Sequence, residues 1–576
     1  METDAQCGAC GCVSLRLELW CPAWRDSAMA RCGEAPIAST EAHDRPMAER
    51  RYVQADVLVV GCGPVGKIIA LRLARAGHSV VIVEKQPATY PLPRAVTHDA
   101  EVGRILQSVG LPPSAMPDIT EPYDDMYVWV NDDDAVLLEV DWRGLGKSGW
   151  YNTYFFHQPA LEQRLLEALE NEPNVTVLWG WDYHEHRDTH REVTAELRRG
   201  NGRRTVSAQY LIGADGAASR VRANSGIGWR DLGYFFDWLV VDVKPNSDQK
   251  FPRVARQRCD HRRPYTSVPG GPGRRRWEFM KLPDERVEDL NATEFAWQLL
   301  AEHGVSPADA VLERHAHYRF QAGWAEQWRT GRVLLAGDAA HQMPPFAGQG
   351  LGAGLRDAMN LTWKLAAVLD GLADDRILDT YYSERVAHVA DFVRFSISLG
   401  EVVCITDPDE AAGRDRRMAA ARAGGGPPPA PPQPRLGPGI HSGAHGGTLS
   451  LQSVVADSRY GRRRLDDVIG GPGVLLVSRR DLLDGLTGLD YATLRALGVR
   501  ACVLMETSGG HDDGFVVPII DVDGSYMHWL RSLSAEAVLI RPDFYLYGTA
   551  ETQAEVTGLV HALLDSLQDN SIGVQA

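Results

Sequence analysis

The sequence predicts an α/β protein. A parallel sheet that binds a dinucleotide is interleaved with a middle β-sheet, and a small C-terminal domain follows. Three observations carry this. A β-branched strand runs straight into a glycine-rich turn at Gly61. A second strand–loop–helix unit recurs far downstream at Gly337. A stretch rich in proline and glycine after residue 422 sets off a tail of short apolar runs.

The first unit begins with Asp56–Val60, a continuous apolar run of the kind found in strands buried on both faces. Gly61-Cys62-Gly63-Pro64-Val65-Gly66 follows at once. A helix is expected over 67–76, with Ile68, Ile69, Leu73 and Ala76 free to face the sheet, and a second strand over 79–83 ends at Glu84-Lys85. This is the Rossmann fingerprint in its required context of strand, tight turn and helix. Gly61 permits the turn, Gly63 lets the backbone approach a pyrophosphate at the positive helix N-terminus, and Gly66 lets the helix lie close to the strand. Glu84 stands where a carboxylate accepts from ribose hydroxyls and repels a 2′-phosphate, so the site suits FAD or NAD better than NADP.

The second unit decides between those two. Arg332–Ala336 reads as another buried strand and ends in Gly337-Asp338. A loop with Pro344, Pro345, Phe346, Gly348 and Gly350 follows, and a long helix starts near Leu351 and runs to Leu369. Asp338 can accept from a polyol such as the ribityl chain. The proline loop makes a dry wall, and the positive end of the helix can stabilise negative charge on a reduced flavin ring. An NAD dehydrogenase needs no such second site, so the expected cofactor is FAD.

A third segment, Tyr210-Leu-Ile-Gly-Ala-Asp215-Gly216-Ala-Ala-Ser219-Arg220-Val-Arg222, completes a set of three. In this order the three motifs resemble those of the class A FAD-dependent aromatic hydroxylases, the p-hydroxybenzoate hydroxylase group. Further segments resemble the 3-(3-hydroxyphenyl)propionate hydroxylase branch: Tyr90–Val96, Gln257–Pro264, Arg275–Met280 and Pro344–Gly350. The resemblance is dense over about 53–400 and returns in the tail at Arg541-Pro542-Asp543-x-Tyr545. It implies FAD contacts from Arg94, Gln158, Asp215 and Arg222, and a thioredoxin-like C-terminal domain. Cys502 is the tail's only cysteine, so that domain has no CxxC redox pair.

The resemblance also implies the chemistry. NADH or NADPH reduces the flavin, O2 converts it to a C4a-hydroperoxide, and a phenolic ring is hydroxylated. The protein must exclude water, hold the ring and help to remove the phenolic proton. A substrate pocket is expected between the proline loop and the middle sheet. Alternation puts Trp277 and Phe279 on one face of Arg275–Met280, and an aromatic face suits an aromatic ligand, together with Trp238, Pro344 and Phe346. His98 and Tyr265 are candidate acceptors of the phenol proton. Two alternatives stay open: an epoxidase or Baeyer–Villiger enzyme acting on a polycyclic natural product, and a non-catalytic flavin-binding partner protein. A halogenase is disfavoured because Trp179-Gly-Trp181 continues as Asp-Tyr-His, without the Ile-Pro of the halogenase signature.

The expected organisation is an N-terminal extension over 1–46, an interleaved body over 47–422 with its middle sheet at about 225–325, a linker over 423–450 and a C-terminal domain over 451–576. Residues 423–439 hold seven prolines and five glycines, which excludes a helix or central strand there. The 576 residues carry a net charge of −16, which disfavours nucleic acid and anionic membranes as partners. No apolar run approaches the ~20 residues that a membrane-spanning helix needs. Five of nine cysteines lie in the first 32 residues, and Cys7-x-x-Cys10-x-Cys12 lacks a second pair at zinc spacing, so no metal is expected. The sparse cysteines elsewhere suit a cytoplasmic enzyme, and the family resemblance makes a homodimer one possible assembly.

Overall fold

The apolar run beginning at Tyr52 becomes the central strand of the first sheet because both its faces are covered: Val57, Leu58 and Val59 are fully buried. In the computed structural model, which describes residues 52–247, 251–425, 430–457, 461–505 and 514–568, this strand is Tyr52–Val60. The N-terminal extension, with its Cys7–Cys12 segment, lies outside the described residues. Tyr52–Val60 pairs in parallel with Val80–Glu84 on one side and Gly202–Gly213 on the other, and Val175–Trp179 and Val333–Leu335 continue the parallel array. The helix Pro64–Arg75 crosses between the first two strands, with Ile68, Ile69 and Leu73 buried. Because these strands are parallel, Val60, Gly213 and Leu335 all end on one edge, and the three motifs that follow them meet there. Ligands of open α/β sheets bind at this carboxyl edge.

A second, eight-stranded sheet has the order His341–Gln342, Ala310–Ala325, Trp229–Pro245, Arg275–Met280, Tyr265–Pro269, Ala255–Arg258, Met126–Val130 and Val136–Asp141. It therefore reaches past the expected 225–325 at both ends. Residues 126–141 join it as a hairpin paired in parallel to Ala255–Arg258, and 341–342 pair with Gly323 and Trp324. One face of this sheet packs under the helices Val287–Leu290 and Thr293–Glu302. Leu239, Val241, Val243, Trp277 and Phe279 form an apolar layer there with Leu290, Ala296, Leu299 and Leu300. The other face carries Trp238 and Phe320, against which Phe346 of the proline loop packs.

The tail folds into a seven-stranded sheet whose centre, Gly473–Val477, Val499–Met505 and Val516–Asp521, is parallel, while Ala537–Ile540 and Leu546–Ala550 run antiparallel on its far side. Ahead of it, Gly437 and Ile440 pin the chain to the body by donating their backbone N–H groups to the backbone and the carboxylate of Glu384. No helix among the described residues is long and apolar enough to cross a membrane.

A fully buried ionic cluster joins the tail to the body. Arg541 donates to both oxygens of Glu384, at 2.8 and 2.7 Å, and to Asp543 at 2.6 Å. Lys364 reaches Glu384 at 2.8 Å, and Asn360 donates to both Glu384 and Asp543. Two cations offset two carboxylates, which is the condition under which buried charge is tolerated. Burial alone would raise the Glu384 carboxyl, but Arg541 and Lys364 hold it well below the usual carboxylate range. A carboxyl lowered by folding stabilises the fold above its unfolded pKa and loses that contribution as pH falls. Glu384→Ala is expected to cost about 3–5 kcal/mol by leaving Arg541 and Lys364 uncompensated. Chemical denaturation at neutral pH measures this, and the difference from the wild type shrinks in acid.

Candidate functional site

The turn between the first strand and helix is set by backbone contact. Gly61 has φ +107°, and a Cβ there or on Gly66 would collide with a backbone carbonyl, that of Ala214 or of Gly61 itself. Gly63 differs: a Cβ on it would meet nothing within 4 Å, so the space beside it is open to a ligand. The helix Pro64–Arg75 begins with no side-chain cap, which leaves its first N–H groups pointing into that space. Glu84 closes the turn from the neighbouring strand, accepting from Cys62 N and Gln86 N, each at 2.9 Å, and Lys85 beside it is exposed.

The second motif packs directly on the first. A Cβ on Gly354 would lie 2.7 Å from the Val65 side chain and 3.1 Å from Gly337 Cα. The twenty-residue helix Gly350–Leu369 also starts without a side-chain cap, at Gln349, with Leu351 in its first turn. Two positive helix ends, each equivalent to roughly half a charge, thus open on one edge of the sheet. The buried Asp357 fixes the loop by accepting from Gly337 N at 3.1 Å, from Arg385 at 2.9 Å and bonding His341 at 2.6 Å.

The third motif braces this arrangement. Asp215 accepts from Ser219 Oγ at 2.5 Å and from Arg220 N at 2.8 Å, and Ser219 in turn caps the short helix Arg220–Asn224 by accepting from Arg222 N. Arg222 donates to Ala339 O at 2.6 Å and lies over the Trp229 ring. The Tyr90–Val96 loop is held from two sides. Gln158 Oε1 accepts from Arg94 N and Ala95 N at 3.0 and 2.7 Å, and its amide donates to Glu162, which pairs with the buried Lys67. From the middle sheet, Arg276 donates to Arg94 O at 2.6 Å, and Arg314 donates to Pro93 O.

These supports leave the Arg94 side chain exposed near Asp338 and Tyr318, and Glu278 also lies near Tyr318. Asp338 is exposed and Tyr318 is 47% exposed, yet crowding by protein atoms raises the Asp338 carboxyl, against the pull of His341 and Arg94, and pushes the Tyr318 phenol up to about 12. Side chains that are exposed and yet crowded by protein atoms line a cleft rather than a convex surface. Beside Tyr318 the same sheet face is aromatic and buried: Trp238, the register partner of Tyr318, packs edge-on against Phe346 at 5.6 Å, with Phe320 behind, and Pro344 is buried in the same loop while Pro345 is exposed. Gly348 lies against Thr97.

Four expectations about the substrate side need correction. Trp277 and Phe279 lie on the opposite face of the sheet, packed under the helices, because the apolar stripe of Thr293–Glu302 needs an apolar layer to cover. The alternation was read correctly, but the side facing the site is the one with Arg276 and Glu278. Tyr265 shares the helix face, with its ring 4.3 Å from His303 and 5.9 Å from Phe279. His98 is buried, stacked on Tyr154 at 4.8 Å. Its ring nitrogens lie 3.1 Å from Thr120 Oγ1 and 3.2 Å from Asp99 O, and burial lowers its pKa to about 4. It is neutral and already partnered. Tyr318 and Glu278 were not singled out from the sequence. The amphipathic helix over 293–302 was the signal that could have assigned the faces.

The site fits FAD: open space at Gly63, two uncapped helix ends and a desolvated carboxylate at Asp338 provide for a pyrophosphate, a ring and a polyol. Residues 54–396 match the family described as FAD binding domain, and 447–566 match the HcaD C-terminal domain. The chain is 36% identical over 522 residues to a probable NADH-specific resorcinol 4-hydroxylase of Rhodococcus jostii (strain RHA1), covering 90% of this chain and 96% of the relative. It is 32% identical over 576 residues to a 3-(3-hydroxy-phenyl)propionate/3-hydroxycinnamic acid hydroxylase of Paraburkholderia xenovorans (strain LB400), covering 89% and 91%.

The chain belongs to the FAD-dependent aromatic hydroxylases.

Solved structures show that this hydroxylase has their fold. The flavin-dependent monooxygenase PieE, in complex with FAD and substrate, superposes with a TM-score of 0.72 at 22% identity, covering 89% of this chain and 99% of that one. Aklavinone-11 hydroxylase, in a ternary complex with FAD and aklavinone, gives 0.69 at 24%, with the same coverage. Gly63→Ala in this hydroxylase is expected to keep the fold and weaken FAD retention. Losing one charge-assisted contact of ~1.5–3 kcal/mol means about ten- to a hundredfold. Gly66→Ala is expected to destabilise the protein itself, because the Gly61 carbonyl cannot yield. Flavin absorbance per protein, with circular dichroism for the fold, separates the two.

Proposed function

We propose that this hydroxylase acts on a small phenol, with NADH as the reductant and O2 as the oxidant. The observation that carries the reading is the aromatic cluster of Trp238 and Phe346, packed next to Tyr318 at the cleft where Asp338 and Arg94 meet. The sequence relative named as a resorcinol hydroxylase supports a compact phenol and NADH. Glu84 at the ribose position favours a cofactor without a 2′-phosphate at the first motif.

The proposed roles follow the geometry. Gly61, Gly63, Pro64, Val65 and Gly66 would cradle the pyrophosphate at the first helix end, and Glu84 and Lys85 would flank the adenosine ribose. Gly337 and Asp338 would receive the polyol, with Arg222 and Asp215 bracing that loop. Pro345, Gly348, Gly350 and Leu351 would face the ring system, where the second helix end favours negative charge. Arg94 would close the site from above, and Gln158 would position it through the backbone bonds described above. Bound FAD supplies hydride acceptance and oxygen activation. The chain excludes water with Pro344 and Phe346 and orients the substrate ring against Trp238.

The C-terminal domain, whose strand order supports a thioredoxin-like reading, would act as a brace, since it contains one cysteine. Cys62, Cys259, Cys404 and Cys502 are all free, which supports a reducing, cytoplasmic setting.

The purified, FAD-loaded protein is expected to oxidise NADH faster than NADPH. Resorcinol-type phenols should raise that rate several-fold while releasing little H2O2. A rate unchanged by every phenol tested, or one matched by stoichiometric H2O2, would overturn the reading.

A further inference from the structure

We propose that Glu278 is the residue that accepts the substrate's phenolic proton, an assignment that rests on the phenol-hydroxylase reading above. Glu278 lies in the middle of the strand Arg275–Met280, opposite Val240 and Thr266, on the sheet face that carries Trp238 and Tyr318. Its side chain is 17% exposed, so it opens into the cleft rather than into the core. One oxygen, Oε1, lies 3.4 Å from Arg276, and Oε2 has no hydrogen-bond partner among the described residues.

The neighbouring guanidinium is already committed. Arg276 gives Nε and Nη2 to Asp242 at 2.6 and 2.9 Å, and Nη1 and Nη2 to the Arg94 and Pro93 carbonyls. Its short hydrogen bonds go to Asp242 and the two carbonyls, so it reaches Glu278 only at 3.4 Å. The other groups acting on Glu278 are Asp242 from the adjoining strand and Arg314 from the strand beyond it; Glu278 in turn acts on Tyr318 and Tyr127, while Thr266 opposite it is neutral. Burial raises the Glu278 carboxyl, against the pull of Arg276 and Arg314, which brings it nearer to a useful base. The competitors are otherwise engaged. His98 is neutral and partnered, Asp242 is held by Arg276, Tyr265 is on the far face, and Asp338 lies at the second-motif loop.

The step is a proton transfer. The phenol O–H bond breaks, the proton passes to Glu278 Oε2, and the electron pair stays on the phenol oxygen. That pair enriches the ring carbons ortho and para to the oxygen, where the oxygen atom from O2 is received. The oxidant and reductant are those of the hydroxylase reaction itself.

The test uses the FAD-loaded full chain and Glu278→Gln, with two probes: resorcinol, and a polyfluorinated phenol that is already ionised at the assay pH. With resorcinol, the variant is expected to keep phenol-stimulated NADH oxidation while hydroxylated product falls ~10²-fold or more and H2O2 rises in its place. With the ionised phenol, variant and wild type should form product alike. In the wild type, product from resorcinol should decline as pH falls through the Glu278 titration, and this decline should be weaker with the ionised phenol. Wild-type coupling in Glu278→Gln, or loss that the ionised phenol does not rescue, overturns the proposal. If the variant fails to hold FAD, the two wild-type pH profiles decide, and identical acid limbs overturn it. A wild type that hydroxylates neither probe removes the functional reading itself, a result distinct from any of these.

Discussion

The close backbone contact between the turn at Gly61–Gly66 and the loop at Gly337 is the constraint on which the rest of the site depends. Val65, Gly337 and Gly354 meet with no room for another side chain, and Gly61 lies against Ala214 in the same way. These contacts bring two uncapped helix N-termini and three strand ends to one edge of one sheet. Partial positive charge concentrated in this way is unfavourable unless something negative is received there. That is the electrostatic reason a dinucleotide with a reducible ring belongs at this edge.

Around that contact the protein places its charges in compensated, buried pairs. Lys67 with Glu162, Arg276 with Asp242, Asp357 with Arg385, and Arg541 with Glu384 each fix the position of a loop or helix. Each pair is a weak source of net stability but a strict geometric constraint, because moving one partner leaves an uncompensated charge in a medium of low polarity. Arg356 shows the reach of this device. It binds Asp99 at 2.5 Å, Glu101 at 2.7 Å and Gln349 at 3.2 Å, and the Tyr545 hydroxyl donates to Glu101. The C-terminal domain is thereby connected, through side chains alone, to the residue that immediately precedes the helix opening on the cleft.

The middle sheet divides its labour by face. The face under the helices is apolar and contributes stability. The face towards the cleft carries Trp238, Glu278, Arg276 and Tyr318, a mixture that would be poor as a core and suits an aromatic ligand with an acidic hydroxyl. Tyr318 and Asp338 show the consequence, being accessible to solvent and yet shifted in ionisation by the protein around them.

The sequence by itself determined the cofactor-binding architecture. Strand, turn and helix around Gly61, the Gly337-Asp338 loop and the Asp215-Gly216 turn are local devices whose chemistry is written in consecutive residues, and they stand where those residues imply. Strands such as Arg275–Met280 and Ala537–Ile540 were equally legible, because period-two alternation and apolar runs are local signals. Only the tertiary structure decided which face of the middle sheet meets the cleft. Alternation says that Trp277 and Glu278 point in opposite directions, but not which direction is occupied by helices, and that choice is made by the packing of Thr293–Glu302. It likewise decided that His98 is enclosed and neutral and that Gln158 reaches the Tyr90–Val96 loop. Burial and hydrogen-bond partners come from residues distant in the chain, and no local pattern encodes them.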